Sequence, residues 1–356
     1  MTYLLMIHAA GLAGGFLANK LRIPACYLLG SAAFAMLLNI FFFSEQQYTY
    51  PLNLRMSVQV FSGIVLGLNF TRSDLLLLRH MLMPALMMIC TLLGINILFA
   101  AIISHFTELA PITALFATAP GGVTDLALIA ADFGADTEQV ALLQIFRFVF
   151  VVSTFPFVVR RILGRKFLGR EPLESMPYIG PYIGMKTLNI SRQRKTCLML
   201  LTFLVAASGA ALARISGIPA GALIGSLTAV ILLNAVAQKA YFPRQTRIGV
   251  QIFAGCYIGS LITLQTLLSL QLMILPMLLI IIQVLFMAFG AAWVLRRFTS
   301  IDYATSLFAG IPGGISEMGL IAGDMGLNVP QVLMLHTCRI IAVIGVMPLL
   351  LHVFSR

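Results

Sequence analysis

Two short stretches carry the residue types that could do chemistry in this otherwise apolar chain. Thr124-Asp125 follows Pro120-Gly121-Gly122, and Ser316-Glu317 follows Pro312-Gly313-Gly314, 192 positions later. A hydroxyl and a carboxylate beside backbone carbonyls freed by proline and glycine would make an oxygen-rich site for a cation or proton. The plainer alternative is a helix N-cap. Arg147 and Arg339, also 192 apart, stand about ten residues into apolar segments. An arginine at the bilayer centre costs ~2.5–3.5 kcal/mol on insertion scales, so each needs a partner. An ion pair with Asp125 or Asp132, or with their repeats, would fix helix packing. A guanidinium fork for a carboxylate or phosphate group of a solute is the other reading, and both stay open.

Four more residues are secondary candidates. Asp132 and Asp324 lie seven residues beyond the first acids, two helical turns on and on the same face. They read most simply as solvated or capping carboxylates. Gln144 and His336 precede the arginines by one turn and share their face. His336 could be proton-linked, though a hydrogen-bonded packing histidine is the simpler reading.

The elements that position these residues come in two sets. Apolar segments run at about 3–19, 25–43, 54–70, 80–104, 110–132 and 138–160, and again at about 197–214, 219–237, 246–263, 271–296, 302–323 and 330–353. Ile23-Pro24-Ala25 faces Ile218-Pro219-Ala220, Gln59 faces Gln251, and Pro84 faces Pro276. The chain is a tandem duplication, with halves 1–160 and 197–356 joined by a linker at 161–196. With 60% hydrophobic and 10% charged residues, and a mean hydropathy of +0.99, it reads as an all-α polytopic membrane protein. The net charge of +11 does not point to nucleic acid, because nine of the 23 Lys and Arg residues fall between Arg160 and Lys195. That is the signature of a cytoplasmic loop. Met1 to Asn19 lacks a basic leader region, and its counterpart is internal, so it reads as a retained span.

The Pro-Gly-Gly segments decide the topology. If all six segments of a half cross, the halves are parallel and Lys20, Arg22, Arg72 and Arg79 fall outside, against the positive-inside rule. If each Pro-Gly-Gly segment is re-entrant, the halves are inverted and these residues fall inside. About nine residues flank each break on either side, so each arm rises only ~14 Å, half of a ~30 Å hydrocarbon core. A hairpin or a broken spanning helix would fit. Gly11/Gly15, Gly63/Gly67, Gly217/Gly221/Gly225 and Gly255/Gly259 read as close helix contacts. The five cysteines and five histidines are dispersed, which gives no disulfide framework, no metal site and no cofactor.

The twofold Pro-Gly-Gly-(Val/Ile)-(Thr/Ser)-(Asp/Glu) block, the paired Ile-Pro-Ala and the duplicated apolar architecture resemble the AbrB family of bacterial membrane proteins. This family is distinct from the soluble DNA-binding protein of the same name. The resemblance covers almost the whole chain outside the linker. It implies labels of aidB regulator or ammonia monooxygenase, with no functional residues to carry over. No DNA-reading element or ligand cluster for a monooxygenase is present in the sequence, so the enzyme reading is the weakest.

The expectation is a multi-pass protein of the bacterial inner membrane with two repeats, inverted on the charge evidence. It would transport a small solute, anionic if the arginines are free, together with a coupling cation or proton, at a site shared by the two breaks. The rival is a membrane sensor or regulator that binds a signal in the same pocket. The partners are the bilayer and the solute, with no direct nucleic acid; a homo-oligomer stays open.

Overall fold

The computed structural model describes residues 2–21, 23, 25–43, 50–68, 72–163, 191–218, 220–268, 270–315, 318–319, 322, 325 and 327–354. Among them there is no strand. Helices α1 (Thr2–Lys20), α2 (Cys26–Phe43), α3 (Leu52–Leu68) and α4 (Arg72–Phe106) are followed by α5 (Pro111–Thr118), α6 (Val123–Asp132) and α7 (Thr137–Leu163). The second half holds α8 (Arg192–Ile215), α9 (Gly221–Leu232), α10 (Arg244–Leu261), α11 (Leu264–Leu268), α12 (Leu270–Phe298), α13 (Tyr303–Gly310) and α14 (Val329–Phe354). A π turn, Leu233–Ala237, extends α9.

Seven of these helices are long and apolar enough to cross a membrane. Large apolar side chains such as Leu5, Phe41, Leu204 and Trp293 stand exposed, as lipid-facing residues do. Helices α4 and α8 begin at Arg72 and Arg192, earlier than the apolar stretches at 80 and 197, because backbone bonding carries a helix on into polar sequence. The linker expected at 161–196 lies, over 164–190, outside the described residues.

Two compact units divide the chain, and neither is a sequence half. The first comprises Met1–Thr71, Ala127–Leu142 and Gly184–Leu272; the second comprises Arg72–Leu126, Leu143–Ile183 and Met273–Arg356. Each therefore draws equivalent helices from both halves, and α6 begins in one and ends in the other.

Within the first unit, glycines set the packing. An added Cβ on Gly14 would strike the Gly30 carbonyl, joining α1 to α2, and one on Gly209 would strike the Gly225 carbonyl, joining α8 to α9. These are the same crossing in each repeat. The third helices are exchanged between the halves. A Cβ on Gly63 of α3 would meet Leu223 O of α9 at 2.9 Å, and one on Gly255 of α10 would meet Leu28 O of α2 at 2.6 Å. Small residues let backbones approach where lipid supplies no hydrophobic drive between helices, and here they interlock the two repeats.

In the second unit, α5 packs on α4 and α13 packs on α14. A Cβ on Gly310 would lie 2.9 Å from Met287 O, which seats the end of α13 against α12.

Candidate functional site

The break in each Pro-Gly-Gly segment follows from its residues. Helix α5 stops at Thr118 and α6 starts at Val123; α13 stops at Gly310, and Ile315, Met318, Gly319 and Ala322 are again helical. Proline has no N–H to give to the carbonyl four residues earlier, and glycine weakens the helix on either side. Pro120 therefore denies the Phe116 carbonyl its helical donor, and Pro312 leaves the Phe308 carbonyl with only a long bond from Ile311 N–H at 3.3 Å. Both sites are buried, and an unpaired carbonyl there costs about 1–3 kcal/mol.

The missing donors come from α7 and α14. Gln144 Nε2 donates to Phe116 O at 2.6 Å and to Ala119 O at 3.2 Å. His336 Nε2 lies 3.0 Å from Phe308 O, which makes that nitrogen the protonated one. One turn further on, Arg147 donates through Nη1 to Ala119 O and through Nη2 to Gly121 O, the second at 3.0 Å. Arg339 repeats this through Nη1 to Ile311 O at 2.5 Å and through Nη2 to Gly313 O at 2.9 Å. All four side chains are at most 1% exposed. On the first break Gln283 of α12 adds a bond from Nε2 to Thr118 O at 3.0 Å. Its counterpart by the 192-residue spacing, Thr91, bonds within its own helix to Met87 O.

The carbonyls freed at each break are thus held by guanidinium, amide and imidazole groups. Sequence spacing put Arg147 with Gln144, and Arg339 with His336, on shared faces; their common target, the end of the preceding half-helix, was not legible. Prolines four residues after the orphaned carbonyls were the available signal. Gln283 carries no repeat, so nothing in the sequence marked it. Both arginines and both breaks lie in the second unit.

On the far side of the first break, α6 starts one residue before Thr124, so Gly122 takes the cap position and Asp125 lies in the first turn. Asp125 is buried, and its Oδ2 lies where a Cβ of Gly122 would be; Thr124 is half-buried. A carboxylate in the first turn complements the positive helix end. Ser316, Glu317 and Asp324 lie outside the described residues, whereas Pro312, Gly313 and Gly314 are described and non-helical. Asp132 belongs to neither break. It ion-pairs with Arg55 and accepts from Gln59 Nε2 at 3.1 Å, all within the first unit.

The duplication is also visible in the match to a known family. A family model described as "Transition state regulatory protein AbrB" matches residues 1–163 and again 175–355. The chain belongs to the AbrB family. The two matched regions correspond to the two repeats. Among relatives, "Putative regulator AbrB" of Escherichia coli (strain K12) is 25% identical over 333 residues, covering 93% of this chain and 89% of its own. "Uncharacterized protein YhjN" of Bacillus subtilis (strain 168) is 26% identical over 299 residues, covering 82% and 76%.

Proposed function

We propose that this AbrB-family protein is a secondary transporter of the inner membrane, moving a small anionic solute at its two Pro-Gly-Gly breaks. The observation that carries the reading is the repetition of one clamp. Two mid-helix breaks, 192 residues apart, are each stabilised by a fully buried arginine on the same two carbonyl positions. Broken helices at paired positions are how duplicated transporters expose helix ends and charge within the bilayer. The guanidinium groups offset the negative ends of α5 and α13 and leave positive charge at the breaks, which favours an anion. Asp125, and by repeat Glu317, is the carboxylate for a coupling proton or cation, with Thr124 and Ser316 beside it. Alternating access would use the two compact units as its moving parts.

The test is charge movement by reconstituted protein on a solid-supported membrane, screened against organic acids, amino acids and inorganic ions. A solute-specific current that is lost in Asp125→Asn and in Glu317→Gln is expected. A current untouched by both variants would show the site to be elsewhere. The printed name of the Escherichia coli relative supports a second reading, in which the site binds a signal for regulation. Solute binding by purified protein, without movement in electrogenic or radiotracer assays, would favour it.

A further inference from the structure

Three side chains of the first unit fix where the first Pro-Gly-Gly segment ends. Arg55 and Gln59 lie one turn apart near the start of α3. Arg55 ion-pairs with Asp132 at the last residue of α6, while Gln59 Nε2 reaches Asp132 Oδ2 at 3.1 Å and Leu128 O at 3.5 Å. Tyr257 of α10 packs edge-on against Tyr50, just before α3, at 5.3 Å. We infer that this segment is a re-entrant hairpin, latched by Arg55 and Gln59 to the membrane face from which it entered.

The argument is one of parity. Between Arg55 and Asp132 the chain passes through α3, α4 and the α5–α6 segment. Helix α3 has 17 residues, a rise of about 25 Å, and α4 is longer, so the two crossings cancel and α5 begins on the face of Arg55. The 8 residues of α5 and 10 of α6 rise about 12 Å and about 15 Å. Laid end to end they would carry Asp132 to the opposite face, some 27 Å from Arg55, whereas folded back at Pro120 they return it.

A second closure, with no residue in common, agrees. Asn39 Nδ2 of α2 donates to Ser260 O at 3.2 Å and to Ile262 O at 3.0 Å. From Asn39 to Ile262 the chain traverses α3, α4, the Pro-Gly-Gly segment, α7, α8, α9 and α10. Six crossings, with α9 extended by its π turn, return it to the starting face; a seventh crossing would separate the bonded groups by roughly a hydrocarbon thickness of ~30 Å.

The break then lies at mid-depth, open to the face from which its segment entered. Helix α7 leads from that face to the basic linker, whose charge marks the other side as cytoplasmic. Arg, Gln and Asp recur in the sequence at 247, 251 and 324. The inference stands on these contacts and does not depend on transport.

The experiment is single-cysteine labelling with a membrane-impermeant thiol reagent, in right-side-out and inside-out vesicles. Full-length protein without its five cysteines would receive Glu108→Cys or Asp136→Cys, at exposed positions flanking the segment, with Cys197 retained alone as the linker-side reference. Glu108→Cys and Asp136→Cys are expected to react from the outer face and Cys197 from the inner. Reaction of the two flanking positions from opposite faces would overturn the hairpin. For the latch, Arg55→Asp and Asp132→Arg should each lower Tm, and the combined swap should recover most of the loss. An Arg55→Cys/Asp132→Cys pair should yield a linked peptide on oxidation. A swap no better than its single variants, together with no linked peptide, would overturn the latch even where labelling supports the hairpin.

Discussion

Arg147 and Arg339 each reach back to the carbonyls 28 and 26 residues before them, Ala119 and Gly121 in one repeat and Ile311 and Gly313 in the other. The two arginines have the same geometric task. Each closes the C-terminal end of a half-helix whose bonding ladder is interrupted at Pro-Gly-Gly. A planar fork suits two carbonyls two residues apart, which a point-charged ammonium cannot hold together. The guanidinium charge is thereby built into the backbone of the break.

Truncation at either clamp should therefore destabilise the fold as well as alter any activity. Arg147→Ala and Arg339→Ala each take the donor from one buried carbonyl, Gly121 O or Gly313 O, while Ala119 O and Ile311 O keep backbone bonds from Gly121 N–H and Gly313 N–H, so each should cost about 1–3 kcal/mol. Arg→Lys at the same positions should recover less than half of it. Thermal unfolding in detergent measures both; variants that melt with the wild type would remove the clamp from the fold.

Gln144 and His336 should be exchangeable. Each presents an Nε2 donor to the carbonyl that proline deprives of its N–H four residues on, so His336→Gln should change stability by less than about 1 kcal/mol, whereas His336→Leu should cost about 0.5–1.5 kcal/mol, because Phe308 O keeps the Ile311 N–H. The proline can be made to reveal the link. Pro120→Ala restores an N–H for Phe116 O, so Gln144→Leu should cost less in that background, with a coupling of about 0.5–3 kcal/mol. Additive effects would mean that Gln144 does not replace the missing N–H.

Helix crossings offer a third comparison. Gly30→Ala and Gly225→Ala place a methyl against the carbonyls of Gly14 and Gly209, forcing backbones apart at about 1–3 kcal/mol each. Gly94→Ala and Gly345→Ala enter open space and should be neutral or slightly stabilising, since alanine is the better helix former. Equal losses in the two pairs would deny these glycines their packing role.

Ala25 and Ala220 hold left-handed backbones, with φ of 49° and 54°, at the same point of the Ile-Pro-Ala repeat. A side chain in that region costs about 1–2 kcal/mol, so Ala25→Gly and Ala220→Gly should raise Tm or leave it unchanged. The corresponding valine variants should lower it, because β-branching deepens the clash. A gain in Tm with valine would show that neither position is strained.

Much of the architecture was legible in the chain itself. Long apolar runs announce helices in a bilayer because the solvent leaves the backbone no other partner. Repetition of Pro120, Asp125, Arg147 and their counterparts exposed the duplication, since a 192-residue periodicity survives without any knowledge of contacts. Pro and Gly also located the breaks, as loss of a donor is a local property. What no local rule supplies is who answers an orphaned group across space. The expected partners of Arg147 and Arg339 were acids or a solute, yet the groups they hold are carbonyls, which every residue carries and no sequence letter distinguishes. Asp132 looked like a solvated end until Arg55, 77 positions away, was found beside it. The exchange of α3 and α10 between halves, and the division into units that cut across the repeats, likewise arise from long-range packing of small residues. Residue type and periodicity determined the helices and their interruptions; only the tertiary structure decided which donor meets which acceptor, because that choice depends on chain crossings that bring distant residues together.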